Sequence, residues 1–209
     1  MAKEKSIKTN VMRILDQAGI SYQHHHRDGA EHLSGAQLAA LLEEDPDRVF
    51  KTLVTIGKSG AHYVFMIPVA EELDLKKAAA AVQEKSIAML KSKDLLPTTG
   101  YIHGGCSPIG MKKPFPTTIH QTATLFPTIL FSAGKIGHQV EIAPSDLFRL
   151  IACQSADLIV AKQRSKCGSF SSSSRNTNRY KQPAISKNPA AYGRLFCAIG
   201  RHRISSSVT

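Results

Sequence analysis

Two nine-residue runs, RVFKTLVTI at 48–56 and AHYVFMIPV at 61–69, stand on either side of the four-residue segment GKSG. Both runs are rich in β-branched and aromatic side chains, and a short glycine-containing connector between such runs predicts a β-hairpin. No apolar run in the chain approaches the ~20 residues needed to span a bilayer. The flanking segments supply helices and further strands. Val11, Ile14, Leu15 and Ala18 recur at helical spacing within 7–18, and Gly19 closes that helix. ISYQHHH (20–26) reads as a short extended segment. Ser34 is placed to cap a second helix through AQLAALLEE, which Asp45-Pro46-Asp47 breaks. LDLKKAAAAVQ (73–83) reads as a helix with Asp74 near its start. Short strands are predicted at GYIHG (100–104), TTIHQ (117–121), TILFSA (128–133) and HQVEI (138–142), and Pro144 and Asp146 open a last helix. The pattern is that of one compact α/β (α+β) domain.

Charge sets the far boundary of that domain. The chain has 27 Lys/Arg against 16 Asp/Glu, but ten of those cations and none of the acids fall in residues 161–209. The first 160 residues are therefore nearly neutral, and the basic pI describes the tail. Charge alone gives no ground for nucleic-acid binding by the folded part. The expected division is a domain over 1–162 and a basic, Ser-rich, disordered tail over 163–209, where KQRSKCGSFSSSSRNTNRYKQP offers too little apolar surface to offset ordering. The N-terminal MAKEKSIKTN is followed by no apolar stretch of the secretory type, so a cytoplasmic protein is expected.

Several residues are candidates for chemistry. Lys51 interrupts an apolar strand on the face shared by Val49 and Leu53, where a cation needs water, an acid partner or a ligand. GGCSPIG (104–110) can bring backbone amides close to a ligand carbonyl, or it can be a tight connector. Within it, Cys106 is a conceivable nucleophile with His103 three residues upstream, although an inert small side chain accounts for it as well. His24 and His26 would share a strand face, which is either a solvated polar cluster or half of a metal site with no second half in view. SAGKIG (132–137) is a second glycine loop at a strand end. The four cysteines have no metal-ligand spacing.

Taken in order, VFKTL, LDLKKAA, TTGYIHGGCSPIGMKKPFPTTI and LFSAGKIGHQVEI resemble the YbaK/EbsC family of aminoacyl-tRNA deacylases, relatives of the editing domain inserted in bacterial prolyl-tRNA synthetases. The resemblance runs from about residue 10 to 160. It implies a mixed, barrel-like sheet flanked by helices, and hydrolytic clearance of cysteine from mischarged Cys-tRNA(Pro), with Cys-tRNA(Cys) a second substrate. The family lysine falls on Lys51 and its glycine-proline loop on Gly104, Gly105 and Pro108; a pocket serine falls on Ser132. Thr52, Pro108, Ser132 and Gly134 are the implied substrate-binding residues, and Lys51, Gly104 and Gly105 the implied catalytic ones. The implied chemistry needs no cofactor, no metal and no protein nucleophile, because the substrate thiol can attack its own ester. The implied partners are aminoacyl-tRNA and, as a candidate associate, prolyl-tRNA synthetase; neither DNA nor a membrane is implied. Departures from the family occur at Arg27 and Ser34, where aromatic residues are expected, and at Gln139, where an acid is common. They surround the amino-acid pocket, so a deacylase for another small group such as Ala-tRNA(Pro) stays open, as does a non-catalytic tRNA-binding module.

Overall fold

The computed structural model of the protein describes residues 7–26, 37 and 45–161. The helix expected after Ser34 lies outside them apart from Gln37, as do Arg27, Ser34 and the whole basic tail. Helix α1 (Asn10–Gln17) starts where the Thr9 hydroxyl accepts the Met12 N–H at 3.3 Å, and it buries Val11, Met12 and Leu15. Strand β1 (Gln23–His26) follows. The predicted hairpin is β2 (Phe50–Gly57) and β3 (His62–Pro68), paired antiparallel from Phe50↔Pro68 to Ile56↔His62. Asp74 caps α2 (Leu75–Ala81) by accepting the N–H groups of Lys76 and Lys77. Then come β4 (Ile87–Met89), α3 (Ser92–Thr99), β5 (Thr117–His120) and a 3₁₀ turn at Gln121–Leu125. The described part closes with β6 (Ile129–Ser132), β7 (His138–Ile142), α4 (Pro144–Leu150) and β8 (Cys153–Ala156).

The mixed α/β class is as expected. The described strands form two sheets rather than one closed barrel: a three-stranded sheet ordered β1-β7-β6 and a five-stranded one ordered β4-β2-β3-β5-β8. In the larger sheet β2 pairs antiparallel with β3 and β4, while β5 pairs parallel with β3 and β8. The strand predicted at 100–104 is not one. Gly100 ends α3 in the left-handed region (φ 85°), and the Gly105 N–H closes a turn back onto Ile102 O at 3.1 Å, so 101–104 join no ladder.

Strand β3 is covered on both faces, which is why its Val64-Phe65-Met66-Ile67 run is apolar without alternation. Val64 and Met66 join the main core with α1, Phe50, Val54, Phe131 and Val140. Phe65 and Ile67 pack with Ala78 and Ala79 of α2, Ile87 and Leu158. Among the described residues no helix is long and apolar enough to cross a membrane.

Candidate active site

The two sheets meet at one parallel bridge, Val49↔Leu130. The Leu130 N–H donates to Arg48 O at 3.0 Å, and the Val69 N–H donates to Val49 O at 2.8 Å. Val49, Val69 and Leu130 form a small buried cluster of their own. Past that bridge β2 and β6 belong to different sheets. Continuing the register sets Lys51 level with Ser132. Strand alternation puts Lys51 on the side of Val49 and Ser132 on the side of Leu130, so both emerge on one side of the junction.

Lys51 is half-buried, and its Nζ donates to Val69 O at 3.1 Å. Burial holds its pKa below the ordinary 10.5, with the carboxylates of Glu72 and Glu71 pulling the other way. Among the described residues the ammonium has no other hydrogen-bond partner, which leaves two protons for an anionic or carbonyl ligand. Ser132 stands opposite Gln139 across the β6–β7 ladder, and its Oγ accepts the Gly134 N–H at 3.3 Å. The Gln139 Oε1 is buried and has no partner among the described residues.

The glycine loop reaches the same neighbourhood. Gly105 lies so close to the β6–β7 turn that an added β-carbon would sit 3.3 Å from the Ile136 nitrogen. Its own N–H, however, donates to Ile102 O at 3.1 Å. Of the two amides expected to face an oxyanion, only that of Gly104 is therefore unoccupied among the described residues. Thr52 takes the opposite face of β2 from Lys51, with Phe50 and Val54, and its buried Oγ1 also lacks a partner there. Pro108 is separate again: it lines a groove of about 800 Å³ with Met111, Phe115, Leu150, Ile151 and Cys153, which none of the other expected site residues enters. The structure thus sets Ser132, Gly134 and Gly105 about the β6–β7 turn, and the Val49–Leu130 bridge brings the start of Lys51's strand beside that of Ser132; Thr52 takes the other face of β2, and Pro108 lines a separate groove.

Two other candidates are answered by geometry. Cys106 is buried, and burial pushes its thiol up to about 12, the reverse of what a nucleophilic thiolate requires. Cys106→Ala is accordingly expected to keep deacylation within about twofold of wild type, and Cys106 to resist thiol reagents until the protein unfolds; rapid labelling in the native state would contradict this. His24 and His26 do share a face, but their rings stack on His138, with centroids 5.2 and 4.0 Å from it, and His24 Nε2 lies 3.0 Å from His138 Nδ1. His26 Nδ1 lies 3.2 Å from Gly137 O instead, and among the described residues no three His, Cys, Asp or Glu side chains group as metal ligands.

Sequence reasoning passed over a charged cluster next to the junction. Arg48 Nη2 donates to Glu141 Oε1 (2.6 Å) and to Thr128 Oγ1 (2.7 Å), the Thr128 hydroxyl donates to the same carboxylate, and His25 Nε2 lies 2.9 Å from Glu141 Oε2. Burial alone would raise the Glu141 pKa; the bonds from Thr128 and His25 and the charge of Arg48 outweigh it and hold the carboxyl below its ordinary 4.5. The sequence offers only an acid inside HQVEI and a base at the head of RVFKTL, which no local pattern pairs.

Comparison with known proteins fits this geometry. The family model described as the aminoacyl-tRNA editing domain matches residues 31–150. EbsC of Enterococcus faecalis, named as a Cys-tRNA(Pro)/Cys-tRNA(Cys) deacylase, is 46% identical over 160 residues, covering 76% of this chain and 98% of the relative. Among solved structures, one described as a trans-editing enzyme for prolyl tRNA synthetase superposes with a TM-score of 0.64 at 22% identity, covering 72% of this chain and 95% of the other. A hypothetical protein, APE2540, gives 0.66 at 18% identity, covering 71% and 97%. At those identities the two structures speak for the fold alone. Matched by the family model through the junction and both glycine turns, and by a relative almost end to end, the chain belongs to the aminoacyl-tRNA editing domain family.

Proposed function

We propose that the protein is a trans-editing deacylase that removes cysteine from Cys-tRNA(Pro), and also from Cys-tRNA(Cys). The single observation that carries this reading is the 46% identity to EbsC across nearly the whole of that relative. On this reading the protein works in the cytoplasm, where charged tRNA is met, and prolyl-tRNA synthetase is its natural associate.

The residues at the junction suit a reaction in which the protein positions the substrate and the substrate supplies the nucleophile. The cysteinyl sulfur attacks its own ester carbonyl, a C–S bond forms, the C–O bond to the terminal ribose breaks, and the thiol proton ends on the ribose oxygen. A cyclic thiolactone leaves, and water opens it. Such a step is accelerated by holding sulfur and carbonyl in contact and by stabilising the developing oxyanion. In this scheme Lys51 holds the terminal phosphate or ribose through its two remaining protons. The Gly104 amide faces the carbonyl oxygen, and Ser132 with Gln139 forms the wall for the aminoacyl group. The high thiol pKa of Cys106 agrees with a reaction that uses no protein thiol.

The test is a panel of tRNA charged with cysteine, serine or alanine, followed for release of the amino acid. Cysteine is expected to leave at least about a hundredfold faster than alanine, which cannot cyclise; a factor of that size corresponds to about 3 kcal/mol of barrier. Equal rates on all three would overturn the thiol-assisted mechanism, and no release from any would overturn the deacylase reading.

A further inference from the structure

The candidate lysine is connected to the Arg48–Glu141 pair by an unbroken series of contacts. Lys51 Nζ is held by Val69 O at 3.1 Å, and Val69 is held in turn by its N–H to Val49 O at 2.8 Å. Val49 is bridged to Leu130, whose N–H is held by Arg48 O at 3.0 Å. Leu130 stands directly across the β6–β7 ladder from Glu141, and Glu141 receives the Arg48 guanidinium. The pair therefore straddles the bridge from both sides: Arg48 precedes Val49 in the chain, and Glu141 flanks Leu130 on the neighbouring strand. Thr128, one residue before β6, and His25 of β1 close the cluster onto the same carboxylate. Four chain segments are thus tied at one point beside the bridge.

We infer that Arg48 and Glu141 are positioning residues for Lys51: by pinning the Val49–Leu130 bridge they fix where the ammonium stands relative to Ser132. Neither side chain touches substrate; they act through the backbone of the junction. The inference rests on Lys51 being the substrate-holding cation proposed above. The physical reason for a charged lock at this place is geometric. A single bridge between two sheets resists sliding and opening poorly, whereas a planar guanidinium that donates from Nη2 to the Glu141 carboxylate and the Thr128 hydroxyl, and from Nε to Thr128 O at 3.4 Å, has a defined direction. With Glu141 only about a tenth exposed, that lock is also screened little by solvent.

Glu141→Gln keeps the shape and removes the charge; Arg48→Met removes the fork and keeps the stem. Two readouts separate positioning from plain stability. The first is the titration of Lys51 itself, followed on the full chain by competitive acetylation across pH with peptide mass spectrometry. In wild type, burial is expected to hold its midpoint below 10.5. In both variants it is expected to move up toward 10.5 as the loosened junction admits water, with the other lysines unchanged and Glu71 and Glu72 still in place. The second is steady-state deacylation of Cys-tRNA(Pro), where kcat is expected to fall about tenfold with KM within twofold. Arg48→Lys, which restores charge without the fork, should recover kcat only in part. Should Glu141→Gln not fold, Thr128→Val removes one contact to the carboxylate and is expected to give the same changes more weakly.

Folded variants with a lower Tm but an unmoved Lys51 midpoint and wild-type kcat would overturn the inference and leave the pair a structural one. A midpoint that moves in variants of a protein whose wild type releases no amino acid from any charged tRNA would uphold the positioning and sink the deacylase reading instead.

Discussion

Exchanging Lys51 for alanine is expected to lower kcat/KM for Cys-tRNA(Pro) about a hundredfold, a loss of about 3 kcal/mol of transition-state stabilisation. The estimate follows from what the ammonium does in place. It is half removed from water and spends one proton on Val69 O, which on the proposed reading leaves two others for the substrate. A charge-assisted hydrogen bond made in a partly dry site contributes well above the value of the same bond in bulk water. Lys51→Arg should recover little, since a planar fork longer than the lysine tip cannot keep the Val69 bond and the ligand bond in the same directions. The pH dependence has a definite sign. Activity that requires the cation falls as the amine loses its proton, and because burial lowers the Lys51 pKa, the alkaline limb should lie below 10.5. In Lys51→Ala that limb should disappear with the activity. Deacylation by Lys51→Ala at the wild-type rate, with an unchanged alkaline limb, would remove Lys51 from the site.

How far these features could be read without coordinates depends on the range of the interaction responsible. The β2–β3 hairpin was legible because two apolar runs and the glycine-bearing connector are all local, and α1 because four residues at helical spacing need no outside information. Helix α3 was not, since Pro97 within SKDLLPTT reads as a breaker, yet the helix survives as two turns closed by Thr99 Oγ1 on Leu95 O and the Gly100 cap. Strand β8 is short and polar at its exposed positions, and only its parallel ladder with β5 makes it a strand. The site divides the same way. Lys51 stood out as a charge in an apolar run, whereas its partner Ser132 is far along the chain and is delivered by one bridge that no spacing rule encodes. Composition marked Gly104-Gly105 as a loop able to offer amides; that the Gly105 amide is already taken by Ile102 O is a matter of a single turn's closure. Arg48 and Glu141 were invisible as a pair for the same reason, being ordinary surface-type residues until the junction sets them 2.6 Å apart.

Gly134 is a residue at which this packing predicts a large loss of stability from a small change. It follows Ser132 by two positions in the turn between β6 and β7, with φ of 86°. A β-carbon there would stand 2.9 Å from Tyr101 Cε1 and 3.1 Å from Val11 Cγ2. Neither neighbour can step aside cheaply: Val11 is wholly buried in α1, and the Tyr101 hydroxyl is anchored to Ile109 O at 2.6 Å. Left-handed backbone costs an alanine about 1 kcal/mol, and forcing a methyl into a filled core adds about 2 kcal/mol, so Gly134→Ala is expected to lose about 3 kcal/mol. For a domain of this size that lowers Tm by about 10 °C. Gly60 supplies the control, because it has the same φ of 86° in the β2–β3 turn with nothing within 4 Å of its β-carbon position. Gly60→Ala should therefore show the backbone cost alone, about 1 kcal/mol, and full deacylation. The difference between the two alanines measures the close approach of Tyr101 and Val11 to the turn that carries Ser132. Equal losses in Tm would mean that backbone conformation, rather than that approach, is what requires glycine at 134. Unequal losses with a fall in kcat/KM for Gly134→Ala, measured well below its Tm, would tie the packing of this turn to the geometry of the site.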